Sequence, residues 1–169
     1  MDKRDAFSAE LEQLSEEDCV YIDEAGIDDT LAYAYGWSKK GQRCFARRLG
    51  HATERVSMIA AWCHKNVFAP MLFNGVCDSQ VVETWFEQVL IPKLRRGQTI
   101  ILDNASFHRK AKLQAMLESV GCYLLALPPY SPDLNKIEHL WQQIKAFVTH
   151  ITDKSLSLMD KLDQTFCSV

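Results

Sequence analysis

The chain has 169 residues, of which 47% are hydrophobic and 24% are charged, and its formal net charge is −3. That length is enough for one compact domain with a buried core. No stretch is apolar over the roughly 18 residues that a transmembrane helix needs, and the charged N-terminus lacks the apolar region of a signal peptide. We therefore expect a cytoplasmic protein with no membrane partner.

Charge is distributed unevenly along the chain. Residues 1–29 carry eleven acidic and two basic residues, whereas residues 30–169 carry seventeen basic and eleven acidic residues. A basic cluster in the second part consists of Lys39, Lys40, Arg43, Arg47, Arg48 and Arg55, with Glu54 as the one acid among them. Such a cluster can bind the phosphates of a nucleic acid, although a solvated hairpin surface explains it equally well.

The first elements follow from apolar patterning. Phe7, Leu11 and Leu14 at helical spacing predict a lead-in helix within residues 1–17. Residues 19–22 predict a short strand that ends at Asp23, with a turn at residues 26–29. The aromatic-rich residues 33–38 and the residues 44–46 are predicted to flank a hairpin turn at residues 39–41.

The middle of the chain alternates strands and helices. Residues 56–63 and 68–73 predict two further strands, and residues 78–94 predict an amphipathic helix that Asp78 or Ser79 caps. Residues 99–102 predict a buried strand that meets Asp103. Ser106 is a candidate cap for a helix that ends at Gly121, and residues 122–127 predict another strand.

The last part begins with a stiff loop at residues 128–133, because its three prolines fix φ and disfavour helix before them. The helix that follows has an apolar stripe that includes Trp141, which we predict to be a core residue. The order of elements is a β-rich first part and then helix, strand, helix, strand, helix. That order predicts an α/β domain with a mixed sheet covered by helices.

Three acids are candidates for a catalytic site. Asp23 and Asp103 are each predicted at the end of an apolar strand, where ligands of open α/β sheets gather, although an aspartate there often only begins a turn. Glu138 fits either a capping box with Asn135 or a side chain that the stiff loop places in a site. Carboxylates without His or Cys favour Mg²⁺ over zinc. Two such ions stabilise the attacking and leaving oxygens in phosphodiester cleavage.

Three stretches of the sequence resemble the signature blocks of mariner-like DDE transposases, in the branch of bacterial insertion sequences. They are YIDEAG at residues 21–26, LDNASFH at residues 102–108 and LPPYSPDLNKIE at residues 127–138. The 34 residues between Asp103 and Glu138 have the spacing of that branch, and residues 36–43 resemble its second-strand region. The resemblance covers roughly residues 18–150, and the third block is the most specific.

The resemblance implies a ribonuclease-H-like catalytic domain over residues 18–169, with a mixed five-stranded sheet flanked by helices. It implies that Asp23, Asp103 and Glu138 bind two Mg²⁺ ions, for which Mn²⁺ can substitute. The reaction would be hydrolysis of DNA at transposon ends, followed by transfer of the freed 3′-hydroxyl to target DNA. Candidates for supporting the metal site or contacting DNA are Glu24, Asn104, His108, Lys39, Lys40, Arg43 and Lys136.

The resemblance also implies partners. Members normally carry helix-turn-helix modules before the catalytic domain, and only about 18 residues precede the first predicted strand here. We therefore expect transposon-end and target DNA as partners, a separate or missing helix-turn-helix chain, a homodimer when active, and a nucleoid-associated location in the bacterial cytoplasm. Lys136 stands where the family commonly has Pro. Two alternatives stay open, namely a structure-selective nuclease of the same fold and an inactive remnant or assembly module.

Overall fold

A five-stranded sheet forms the centre of the computed structural model, which describes residues 2–30, 38–43, 50–153 and 155–168. The strands are β1 (Cys19–Asp28), β2 (Arg55–Cys63), β3 (Asn66–Phe73), β4 (Thr99–Leu102) and β5 (Tyr123–Ala126). Their order is β3-β2-β1-β4-β5, with antiparallel pairing from β3 to β1 and parallel pairing from β1 to β5. The predicted mixed five-stranded sheet is confirmed.

In the part of the chain that the structure describes, five α-helices accompany the sheet: α1 (Lys3–Leu11), α2 (Ser79–Trp85), α3 (Lys110–Ser119), α4 (Glu138–His150) and α5 (Leu158–Phe166). The predicted long helix after Asp78 continues past α2 as a π-helical turn (Phe86–Leu90) and a 3₁₀ turn (Ile91–Lys93). The sequence prediction did not include α5, which begins with a capping box between Ser157 and Asp160. Among the described residues, no helix combines the length and apolarity needed to cross a membrane.

Alternate side chains of β1 enter two separate hydrophobic clusters, because successive residues of a strand face opposite sides of a sheet. Tyr21 and Ile27 belong to a cluster that α1, α4 and α5 cover, whereas Val20 and Ile22 belong to a cluster that α2 and α3 cover. Helices therefore cover both faces of the sheet. This alternation decides which acid of β1 faces which helix layer.

The strand β1 is longer than predicted. The turn predicted around Gly26 is wrong, because β2 continues to pair with β1 as far as the Asp28–Arg55 pair. The chain turns only after this pair, where Asp28 Oδ1 accepts a hydrogen bond from the Thr30 amide at 3.0 Å. Asp23 consequently lies in the middle of a strand rather than at its end.

The predicted start of α3 is wrong, whereas its predicted end is confirmed. Ser106 does not cap it, because residues 104–109 form a loop and the helix begins at Lys110. The predicted stop at Gly121 is confirmed by its left-handed backbone, with φ of +75°, directly after the last turn.

In the predicted hairpin, the Gln42 amide donates to the Lys39 carbonyl at 2.9 Å. The flanking residues 31–37 and 44–49 lie outside the described residues.

The N-terminal helix α1 packs against the same core as α4. Phe7 is buried in the cluster that α4 covers. Arg4 donates to Ser131 Oγ at 3.0 Å and forms an ion pair with Asp133 at 2.5 Å. The predicted lead-in helix therefore contacts the stiff loop that precedes α4.

The cap of α2 gives a test of the fold. Asp78 Oδ1 accepts hydrogen bonds from the amides of Gln80 and Val81, both at 2.9 Å. Asp78→Ala is expected to lower the free energy of unfolding by about 1 kcal/mol in urea, since two helix amides lose their partner. Asp78→Asn keeps the acceptor and should lose clearly less. Equal losses in the two variants would show that the cap bonds do not stabilise the helix.

Candidate active site

The register between β1 and β4 aligns two of the predicted acids. Tyr21 pairs with Ile101 in the parallel ladder, so Asp23 and Asp103, each two residues further on, occupy corresponding positions. Asp23 is still paired to Ala60 of β2, whereas Asp103 directly follows the last residue of β4. The two carboxylates therefore belong to the same edge of the parallel part of the sheet.

Glu138 is the first residue of α4, and it does not form the capping box that its sequence allowed. The amide of Asn135 donates to the Pro132 carbonyl at 2.9 Å instead of to the Glu138 side chain. The N-cap of α4 is Ile137, which provides no side-chain hydrogen bond. The capping interpretation is wrong, and Glu138 lines a cavity together with Asp23 and Asp103.

A single cavity of about 510 Å³ is lined by all three acids, Asp23, Asp103 and Glu138. Its wall is completed by the stiff loop and the start of the loop after β4, namely Asn104, Ala105, Leu127, Pro128, Pro129, Tyr130, Ser131, Pro132 and Asn135. Asn135 is 4% exposed, and its Oδ1 atom is buried without a hydrogen-bond partner. Within the described part of the chain that atom has no donor, and it is too enclosed for a water in the cavity to reach.

The Asp23 carboxylate is partly buried on the face of the sheet that α4 covers. Its Oδ2 atom accepts a hydrogen bond from Trp141 Nε1 at 3.0 Å. Burial and the neighbouring Glu24 raise the pKa of Asp23 to about 7, the hydrogen bond from Trp141 opposes that rise, and Glu138 adds to it. Trp141 was predicted as a core residue, which its 2% exposure supports, but its bond to the acid was missed.

The adjacent Glu24 faces the opposite side of the sheet. Its Oε1 atom lies 2.9 Å from His108 Nε2, and His108 Nδ1 lies 3.2 Å from Asp103 Oδ1. The contact to Glu24 has hydrogen-bond geometry, whereas the contact to Asp103 is one of charge and proximity. His108 is 8% exposed, so a buried imidazole connects the acids of β1 and β4.

The contacts of His108 with Glu24 and Asp103 determine the charge of these three groups. Burial alone would lower the pKa of His108, but the contacts with Asp103 and Glu24 outweigh burial and raise the pKa to about 9. His108 in turn is the main reason that the pKa of Asp103 is held below its ordinary value. Burial opposes that effect, and the Ala105 amide supports it. At neutral pH an imidazolium therefore lies between two carboxylates.

Among the described residues, Glu24, Asp103 and His108 form the group of three possible metal donors whose atoms all lie within 4.8 Å of one another. The acids Asp23, Asp103 and Glu138 share a cavity but are not gathered that closely. Carboxylates repel one another at short range unless a cation lies between them. Asp103 belongs both to the group with Glu24 and His108 and to the cavity with Asp23 and Glu138. It therefore connects the acids on the two faces of the sheet.

The remaining candidates lie at varied distances from the acids. The Asn104 amide donates to the Leu127 carbonyl and thereby joins the ends of β4 and β5. Lys136 forms an ion pair with Glu16 at 2.7 Å and lies 5.7 Å above the ring of Tyr21. Lys136 also lines a different cavity from the three acids. Neither its ion pair nor its position therefore supports a role at the acids.

The basic cluster is described only in part. Lys39, Lys40 and Arg43 are exposed, and Arg47 and Arg48 lie outside the described residues. Arg55 begins β2 and lines a second cavity of about 550 Å³, which also includes Asp23, Glu24 and Asp103. One basic residue of the cluster therefore lies beside the acids.

Comparison with known proteins identifies a family. The model for DDE superfamily endonucleases matches residues 18–158. The comparison with curated protein sequences gave no match.

Three solved structures have the same fold at low sequence identity. A Mos1 strand transfer complex is 18% identical with a TM-score of 0.75, and the alignment covers 98% of this chain and 52% of that chain. The Mos1 mariner paired end complex with Mn is 17% identical with a TM-score of 0.73, over 97% and 52%. The catalytic domain of the Mos1 mariner transposase is 18% identical with a TM-score of 0.64, over 97% and 76%. The ribonuclease-H-like fold is confirmed, and the chain spans about half the length of the first two proteins.

The raised pKa of Asp23 predicts a pH-dependent stability. Between about pH 4 and about pH 7 the folded protein keeps a proton on Asp23 that the unfolded chain has released, so stability falls as the pH rises through this interval. Asp23→Asn removes the charge but keeps an acceptor for Trp141. In the presence of a chelator, its stability advantage over the wild type is expected to grow by about 2 kcal/mol between about pH 5.5 and about pH 8.

Chemical unfolding at the two pH values measures this difference. Asp29→Asn is the matched control, because a hydrogen bond from Thr53 holds the pKa of Asp29 below its ordinary value. That variant should show no gain in relative stability as the pH rises. A pH-independent effect of Asp23→Asn would mean that Asp23 ionises at its ordinary pKa in the folded protein.

Proposed function

This chain belongs to the DDE superfamily of endonucleases, and we propose that it is the catalytic domain of a DNA transposase. The reaction is hydrolysis of a phosphodiester bond at each transposon end, followed by attack of the freed 3′-hydroxyl on target DNA. The observation that carries the proposal is the convergence of Asp23, Asp103 and Glu138 on one cavity. A fold similar to that of a transposase catalytic domain supports it.

The cavity has the chemistry of a site for hard divalent cations. Its three acids offer carboxylate oxygens, the donors that Mg²⁺ prefers, and Mg²⁺ keeps several of its own waters. Asp23 is a partly buried carboxylate whose ordinary ionisation its neighbours oppose, and a cation would remove that cost. These features fit two Mg²⁺ ions, with Mn²⁺ as a substitute.

In this proposal the chain's own residues have distinct roles. Asp23, Asp103 and Glu138 hold the ions, which supply charge neutralisation for the attacking and leaving oxygens. His108 positions Asp103 from the other side of the sheet and reduces the negative charge that the acids share. The stiff loop before Glu138 limits the directions in which α4 can present its first carboxylate.

DNA recognition in this proposal is divided between surfaces. The exposed Lys39, Lys40 and Arg43 contact DNA phosphates without reading sequence. A separate helix-turn-helix chain or region recognises the transposon ends, and two copies of the catalytic domain act on the paired ends. The similarity in fold to Mos1 paired-end and strand transfer complexes supports DNA as the partner.

The first functional prediction concerns the acids. Asp103→Asn and Glu138→Gln are each expected to lower Mn²⁺-dependent nicking of plasmid DNA by on the order of 10³-fold, which corresponds to about 4 kcal/mol of activation free energy. The cause is the loss of a cation ligand from the cavity. Glu87→Gln changes an exposed acid and is the matched control. Nicking that persists in both cavity variants would exclude this cavity as the site of hydrolysis.

The second functional prediction separates a transposase from a structure-selective nuclease of the same fold. A labelled duplex that carries an inverted repeat from beside the coding frame and ends in a 3′-hydroxyl should become joined to a supercoiled plasmid. The same duplex with a 3′-deoxy end lacks the nucleophile and should give no joined product. Cutting of the plasmid without joining, with helix-turn-helix protein supplied, would favour the nuclease.

A further inference from the structure

The indole of Trp141 makes a specific polar contact although it belongs to the hydrophobic core. Its Nε1 atom donates to Asp23 Oδ2 at 3.0 Å across 118 residues of sequence. Trp141 is 2% exposed, so bulk water does not compete for its indole N–H. A hydrogen bond from a buried donor to a carboxylate is stronger than one between neutral groups.

The position of Trp141 on α4 connects this bond to a second acid. Trp141 follows Glu138 by three residues, and residues three apart lie on the same face of a helix. One face of α4 therefore carries an acid of the cavity at its first residue and a donor to another acid one turn later. Trp141 itself packs in the core cluster that includes Tyr21 and Ile27 of β1.

Besides the indole of Trp141, the backbone amide of Glu24 acts on the Asp23 carboxylate. Within the described part of the chain, Trp141 is the side chain that donates a hydrogen bond to Asp23. An aspartate carboxylate rotates broadly about its last torsion unless a partner fixes it. With Oδ2 held by the indole, the remaining Oδ1 atom has a defined direction.

We propose that Trp141 is a positioning residue, whose indole N–H holds the Asp23 carboxylate in the orientation that binds a divalent cation together with Asp103 and Glu138. The inference rests on the proposed function of this cavity as a cation site. It assigns to Trp141 a role that a phenylalanine of similar shape cannot perform. Partners that orient a metal-binding carboxylate typically change metal affinity by about 10–100-fold when they are removed.

The molecule offers a matched control on the opposite face of the sheet. Trp85 is 0% exposed, and its Nε1 atom donates to the Ala69 carbonyl at 2.9 Å. Trp85→Phe and Trp141→Phe therefore remove the same buried indole N–H, but only one of these groups contacts an acid of the cavity. A general loss of stability should be similar in both variants.

The test is calorimetric titration of the metal-free protein with Mn²⁺, together with unfolding of each variant in a chelator. Trp141→Phe is expected to weaken Mn²⁺ binding by about tenfold or more, while Trp85→Phe binds within about twofold of the wild type. Binding by Trp141→Phe that equals that of Trp85→Phe would overturn the proposal.

A second measurement does not depend on the folding of any variant. The indole ¹⁵N–¹H resonance of Trp141 in the wild-type protein should shift when Mg²⁺ is added, because its acceptor becomes a cation ligand, whereas the resonance of Trp85 should not. A Trp141 resonance that saturating Mg²⁺ leaves unchanged would also overturn the proposal.

Asp23→Asn distinguishes a failure of the positioning role of Trp141 from a failure of the cation site. If Asp23→Asn removes Mn²⁺ binding while Trp141→Phe does not weaken it, the positioning role is wrong and the cation site stands. If Asp23→Asn binds Mn²⁺ as the wild type does, the cation site itself is wrong. The expected result is loss in Asp23→Asn, weakening in Trp141→Phe and no change in Trp85→Phe.

Discussion

The parallel pairing of β1 with β4 is the constraint on which the site depends, because it places Asp23 beside Asp103. The pairing extends over three residue pairs, Cys19–Thr99 to Tyr21–Ile101, and all four residues of β4 are buried. β1 continues past the end of β4 with β2 as its partner. The acids therefore lie where one side of β1 loses its neighbour, and the open space there becomes the cavity.

Bringing several carboxylates to one edge of a sheet costs free energy, and the fold offsets part of this cost from both sides. On one face, the imidazolium of His108 contacts Glu24 and Asp103. On the other face, the indole of Trp141 donates to Asp23. Asp23 remains difficult to ionise, because burial and the charge of Glu24 keep its pKa raised. Residual negative charge of this kind destabilises the protein without a cation and increases its affinity for one.

Sequence patterns predicted the strands of the sheet well because buried strands here are short apolar runs. Residues 99–102 coincide with β4, and the cap at Asp78 is found as predicted. The errors occurred where a tertiary contact decides the local structure. Gly26 was assigned to a turn, but pairing with β2 keeps it in a strand. Ser106 was assigned to a cap, but the loop there turns His108 inward.

The candidate site was partly visible in the sequence. The shared blocks drew attention to Asp23, Asp103 and Glu138, and the structure brings these acids to one cavity. The hydrogen bond between Trp141 and Asp23 could not be derived from apolar periodicity. A tryptophan on an apolar stripe is predicted to be a core residue whether or not its indole N–H has a partner. The one sequence feature that pointed to this role of Trp141 was its spacing of three residues from Glu138, which places both on the same face of a helix.

Adjacent acids on one strand create a risk of misalignment. A shift of β1 by one residue would exchange Asp23 and Glu24 and point the wrong acid at α4. The apolar residues 19–22 oppose such a shift weakly, since each would meet another apolar layer. Gly26 adds little, because the atom that a Cβ there would meet at 2.9 Å is Arg55 Nη2, the far end of a flexible side chain. The fidelity of strand alignment during folding therefore depends on the contacts of the acids themselves, because a shift would break both the one from Glu24 to His108 and the one from Asp23 to Trp141.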